Sequence, residues 1–180
     1  MELTAHLRPA EGLAERVLKV NHAGENGAIQ IYAGQLLVSR ITARSMRSEL
    51  SEFQSHERKH RSIFQAELKR RGVRRCRSYH LCGAGGFVLG FVTALFGASA
   101  IAATTAAVES VVLRHLERQI ERLTAVDAEA VAAITSIVLE EQQHHDLSAA
   151  HAQSSRFWVR VLTPVVAMST ETVIWLGMRL

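Results

Sequence analysis

Proline is almost missing from this 180-residue chain: the only two are Pro9 and Pro164, so nothing between them forbids long helices. With Ala, Leu, Val, Arg and Glu dominating that interval, the expected class is all-α. Cysteine is equally scarce. Cys76 and Cys82 lie six apart, a spacing that fits neither a C-x-x-C metal or redox motif nor a disulfide framework, so a reduced, cytoplasmic setting is expected. No basic-then-apolar leader follows Met1 and Glu2, so neither a secretory signal nor a transit peptide is expected, and a bacterial setting is favoured over a mitochondrial one. Formal charge is also missing from one long stretch: Ser78 to Val108 holds no Asp, Glu, Lys or Arg.

What is present is a repeated pattern of chemistry. Glu25 is followed by Glu57 and His60, and Glu109 by Glu141 and His144, each member of the second set lying 84 residues after its counterpart (109−25, 141−57 and 144−60). One Glu-x-x-His is a weak signal, because glutamate and histidine are common in helices. Two of them, each trailing a lone Glu by the same interval, match the ligand set of a di-metal carboxylate bundle. Residues i and i+3 share a helix face, so Glu57 and His60 can address one ion. The surrounding apolar positions point these groups inward: Leu50, Phe53, Phe64 and Leu68 flank the first pair, Ala130, Ile134 and Ile137 precede the second, and Thr105, Val112 and Leu116 flank Glu109. Buried carboxylates without partners cost several kcal/mol each, on the order of an ion's effective desolvation penalty. Two divalent cations offset four carboxylates, and mixed oxygen and nitrogen donors suit iron or manganese.

The 48% hydrophobic content over 180 residues suits one core, so residues 1–180 are expected to form a single domain. The periodicity predicts helices near 12–43, 46–71, 98–124, 127–152 and 157–179, with a shorter apolar one near 83–96. The first two make one αα-hairpin and the next two long ones another. A long crossover, residues 72–97, joins them, as in ferritin-like four-helix bundles, and the last helix is additional.

The crossover opens with KRRGVRRCR, six basic residues in nine, and continues into an apolar run from Gly83 to Val108 long enough to span a bilayer. Either a transmembrane helix or a surface-embedded helix followed by a buried one accounts for it. The basic flank, the net charge of +4 and the pI of 9.6 would draw the chain to anionic headgroups. Trp158 and Trp175, with Arg160 and Arg179, give the C-terminal segment the look of an interfacial anchor; a fifth helix packed on the bundle reads the same. Nucleic-acid binding is not expected, because the basic cluster is short and has no interleaved aromatics. In the first helix Gly24, Gly27 and Gly34 share a narrow arc; either another helix or a flat substrate approaches there.

The stretch VNHAGENGAIQIYAGQL (20–36) resembles the opening metal-ligand helix of the demethoxyubiquinone hydroxylase family. The resemblance continues through SHERKH (55–60), GGFVLGFVTALFG (85–97), AAVES (106–110), HLERQ (115–119) and EEQQHHD (140–146). It implies Glu25, Glu57, His60, Glu109, Glu141 and His144 as ligands of two iron ions. It also implies a membrane-associated monooxygenase that hydroxylates a demethoxylated polyprenyl quinone with O₂ and an external reductant, NADH being one candidate. A homo-oligomer or other ubiquinone-biosynthesis proteins are candidate partners. Asp146 and His145 are candidates to hold the outer nitrogens of ligating imidazoles. Some family members carry Tyr where this chain has Leu116, so no role of that Tyr transfers. Two competing readings use the same ligands: a ferritin-like ferroxidase or iron store, and a radical-generating subunit using Tyr32.

Overall fold

The computed structural model describes residues 12–179; the chain start, on which the expectation of no leader rests, and Leu180 lie outside them. Six α-helices follow one another: α1 (Leu13–Thr42), α2 (Arg47–Arg70), α3 (Tyr79–Ala94), α4 (Ala98–Leu123), α5 (Ala128–Ala152) and α6 (Arg156–Gly177), with a single 3₁₀ turn, Arg44–Met46, between α1 and α2. No strand occurs among the described residues. The helices α1 and α2 form one antiparallel hairpin and α4 and α5 the other, α3 lies against α1, and α6 lies against α4. The result is the expected all-α, ferritin-like arrangement, with α3 inside the crossover and α6 added at the end.

The helix ends have local causes. Gly72 (φ 66°) ends α2, and Gly97 (φ 89°) separates α3 from α4; both are in the left-handed region that favours glycine. The break at Gly97 decides the fate of the apolar run from Gly83 to Val108. It is two helices rather than one span: α3, at 16 residues, is about 24 Å long, against a hydrocarbon core of about 30 Å. The start of α5 is set by Asp127, whose carboxylate accepts the Ala130 N–H at 2.9 Å. The Arg71 guanidinium grips the same carboxylate at 2.5 and 2.9 Å and holds its pKa down at about 2. Arg70 likewise pairs with Glu67 and Glu129. Two residues of the basic stretch are therefore engaged in joining α2 to α5.

The contact between α1 and α3 is backbone against backbone. A Cβ added at Gly86 would collide with the Gly27 carbonyl, one at Gly90 with the Ile31 carbonyl, and one at Gly34 would lie 2.5 Å from the Phe87 oxygen. Of the two readings of the α1 glycines, close helix packing therefore accounts for Gly27 and Gly34. Gly24 has nothing within 4 Å and takes no part in it.

Two apolar clusters plug the bundle. One gathers Leu18, Phe64, Leu68, Leu116, Leu123, Ile134 and Ile137; the other gathers Tyr32, Val38, Leu50, Phe53, Ile101 and Ala152. Each of α1, α2, α4 and α5 contributes to both. The stretch of each helix between its two contributions carries Glu25, Glu57 with His60, Glu109, or Glu141 with His144.

Candidate metal centre

All six residues singled out by the repeat meet in that layer, and none is more than 6% exposed. They fall into two overlapping groups. Glu25, Glu57, His60 and Glu141 each offer an oxygen or nitrogen within 4.8 Å of the others, and so do Glu57, Glu109, Glu141 and His144. Glu57 and Glu141 belong to both groups, which is the placement that bridging carboxylates need.

Each histidine turns Nδ1 inward. His60 Nδ1 lies 2.9 Å from Glu141 Oε1 and 3.8 Å from oxygens of Glu25 and Glu57. His144 Nδ1 lies 3.2 Å from Glu57 Oε1 and 3.8 Å from Glu141 Oε2. Yet both Nδ1 atoms, with Glu57 Oε1 and Glu141 Oε2, are buried and make no hydrogen bond of acceptable geometry. Buried polar atoms are nearly always satisfied. Four orphans aimed into one small volume fit a pair of cations with oxygen and nitrogen ligands, as the donor set itself does.

The outer nitrogens are held from across the bundle. His60 Nε2 lies 2.7 Å from Glu140 Oε2, and Lys59 Nζ donates to the other oxygen of Glu140 at 2.6 Å. His144 Nε2 lies 3.0 Å from His56 Nδ1, and the two rings stack with Phe53 packing on the His144 ring at 4.2 Å. His145 and Asp146, expected in this role, instead pair with each other on the surface at 3.0 Å, Asp146 being 64% exposed. The sequence carried the signal for the residues actually used: His56 and Glu140 obey the same 84-residue offset (140−56), each one residue ahead of a cluster glutamate. Tyr32, fully buried on α1, donates its hydroxyl to Glu109 Oε1 at 3.1 Å.

Burial and close neighbours move the cluster's titrating groups in opposite directions. Burial, then the neighbouring carboxylates, push Glu25 and Glu109 well above the usual carboxylate range. Burial also acts to raise Glu57, but the His144 and His60 rings that face it outweigh burial and hold Glu57 down. At His60 burial opposes protonation, and the Glu141 and Glu57 carboxylates overcome it, pushing the imidazole up to about 10. A raised pKa stabilises the fold below the group's unfolded value and loses that contribution as pH rises through the folded one. For His60 the loss runs from pH 6.5 to about 10, and the raised carboxyls lose theirs in the same direction above 4.5. Glu57 acts oppositely, but only below 4.5. The metal-free protein is expected to melt at progressively lower temperature as pH is raised from 6.5 to 9, while protein loaded with Mn²⁺ keeps a nearly level melting temperature. Thermal scans of both forms over that range check this; parallel curves would contradict it.

Comparisons with known proteins place the chain in a family. Residues 12–177 match the family model described as ubiquinone biosynthesis protein COQ7. The chain is 31% identical over 170 residues to the NADPH-dependent 3-demethoxyubiquinone 3-hydroxylase, mitochondrial, of Dictyostelium discoideum, covering 93% of this chain and 77% of that protein. It is 31% identical to the protein of the same description from Homo sapiens, covering 92% and 77%. It is 30% identical over 167 residues to the 3-demethoxyubiquinol 3-hydroxylase of Rhodospirillum rubrum, covering 93% and 78%.

Proposed function

The chain belongs to the COQ7 family of ubiquinone-biosynthesis hydroxylases, and from that premise we propose that it is a membrane-associated di-iron monooxygenase acting on a demethoxylated polyprenyl quinol. The observation that carries the reading is the buried double cluster with its four unsatisfied inward atoms. The net reaction adds one atom of O₂ to a ring carbon, turning C–H into C–OH, and releases the other as water with two electrons and two protons from an external donor. Bound iron supplies the O₂ activation that side chains cannot.

The protein's own groups do the rest. Glu57 and Glu141 would be shared between the two ions, with Glu25 and His60 holding one and Glu109 and His144 the other. The two apolar plugs keep bulk water from the layer, which protects a reactive oxidant from side reactions. Tyr32 fixes one oxygen of Glu109. The names of the mitochondrial relatives specify NADPH, where NADH was one candidate for the external reductant.

A lipid-tailed substrate calls for an apolar approach. The helices α3, on α1, and α6, on α4, meet around one apolar cluster, where Leu89 and Leu162 pack on Ile31, Val108 and Val166, and Phe96, just beyond α3, meets Trp158 at 4.9 Å. Their outer faces expose Leu81, Val88, Leu95, Phe157, Val165 and Trp175. Of the described helices α6 is long and apolar enough to cross a membrane, and its apolar stretch is only 6% buried. With Trp175 carrying the Arg179 guanidinium over its ring at 3.6 Å, we read α3 and α6 as lying in the cytoplasmic face of a cell membrane, with residues 1–180 as one domain. A ferroxidase or iron store would have no use for such a face.

Labelled oxygen tests the reading. Iron-loaded protein given a short-chain demethoxyquinone, reductant and ¹⁸O₂ is expected to yield a product carrying one heavy oxygen. Rapid O₂ consumption with iron bound and no labelled product would move the assignment to ferroxidase chemistry.

A further inference from the structure

The internal repeat makes the two cation positions formally equivalent, and the residues around them are not. Three pairs related by the 84-residue offset surround the layer. His60 and His144 are the same residue, but the groups on their outer nitrogens, Glu140 and His56, are a carboxylate and an imidazole. The third pair is Tyr32 and Leu116 (116−32). Tyr32 donates to Glu109, the terminal carboxylate of the His144 group, while Leu116 is buried in the apolar plug and offers nothing to Glu25.

Both differences act in one direction. An imidazole whose outer N–H donates to a carboxylate is a more basic ligand, and its donor tautomer is fixed with the free lone pair on the inner nitrogen. His60 has that arrangement, moderated by Lys59, which shares Glu140. His144 is paired with a second imidazole ring, and a hydrogen shared between two imidazoles can sit on either one. Only when His144 is the donor does its Nδ1 present a lone pair to a cation. A carboxylate oxygen that already accepts a hydroxyl hydrogen is the poorer donor, which weakens Glu109 relative to Glu25.

We propose that the two cation positions are unequal by construction: the Glu25, Glu57, His60, Glu141 position fills first, and the Glu57, Glu109, Glu141, His144 position fills second and holds its ion more weakly. His56, Glu140 and Tyr32 are the positioning residues that set the difference. This rests on the di-metal reading above and adds an order of filling and the residues responsible.

Manganese binding tests it without turnover. Mn²⁺ is added to metal-free protein while binding isotherms and electron paramagnetic resonance spectra are recorded. Native protein is expected to show the six-line spectrum of isolated Mn²⁺ up to one equivalent and a spin-coupled pair only during the second, with the second step about tenfold weaker. Mutual repulsion of two cations would also separate the steps, so the variants decide. His56→Glu and the milder Tyr32→Phe should each tighten the second step and leave the first in place. Glu140→Gln should weaken the first step by about tenfold and bring the coupled signal in before one equivalent. A purely structural role would shift both steps together. If these substitutions leave both steps unchanged while two equivalents still bind, the inequality is overturned and the di-metal centre stands. If no protein binds two equivalents, both fall.

Discussion

Glu57→Gln is expected to abolish tight binding of both cations and to lower hydroxylation by about 1000-fold or more, while leaving the fold intact. Glu57 belongs to both groups that could hold an ion, so its loss would open both positions at once, which the loss of Glu25 or Glu109 would not do. A bound metal supplies several kcal/mol of transition-state stabilisation, and about 4 kcal/mol corresponds to a factor of about 1000 in rate. The fold should survive because Gln keeps the volume of Glu and the two apolar plugs on either side of the layer are untouched. The metal-free variant should melt somewhat below the metal-free native protein, because the His144 and His60 rings lose the carboxylate they face, and the stabilisation that Mn²⁺ confers on the native protein should vanish. Metal analysis after gel filtration, thermal scans and turnover on one preparation give all three readouts. Full activity with one ion or none would sink the di-metal assignment.

The second large effect is on packing. Gly90→Val is expected to destabilise the protein by about 3 kcal/mol or more, the upper part of the range for overpacking, and to lower its melting temperature by roughly 6–12 °C for a chain of this size. An added Cβ there would run into the Ile31 carbonyl and come within 2.9 Å of Ile31 Cα, and backbone in mid-helix cannot rotate aside as a side chain can. Gly24→Ala and Gly85→Ala provide the contrast. Neither Cβ would meet anything within 4 Å, so each should be neutral or stabilising by up to about 1 kcal/mol, the helix preference of Ala over Gly. A Gly90→Val protein as stable as the native one would mean that α3 is not held against α1 by backbone contact.

The glycines also show where reading the chain alone runs out. Gly24, Gly27 and Gly34 share an arc of α1, and periodicity cannot say what approaches it; the structure shows α3 against Gly27 and Gly34 and open space at Gly24. The apolar run from Gly83 to Val108 is ambiguous for a related reason. Hydropathy sums over residues without regard to the break at Gly97, where φ of 89° divides an outer helix from a buried one. Asp146 and His145 offered acceptors for the outer nitrogens of the cluster imidazoles, but they follow His144 by two and one positions, and each step along a helix turns by about 100°, which carries them outward to pair with each other.

The sequence by itself determined the class of fold, the six inward residues and the family, because each is written in local spacing: i and i+3 place Glu and His on one face, and a seam of apolar neighbours marks that face as buried. The 84-residue offset then multiplied a weak motif into a specific one. Only the tertiary structure decided which group meets which across the bundle: Glu140 on His60, His56 on His144, Tyr32 on Glu109, and Arg71 on Asp127. These contacts join helices distant in the chain, and they depend on how far each helix slides and rotates against its neighbours. That is set by packing against two apolar plugs and a glycine-lined α3, quantities that no spacing along a single helix encodes.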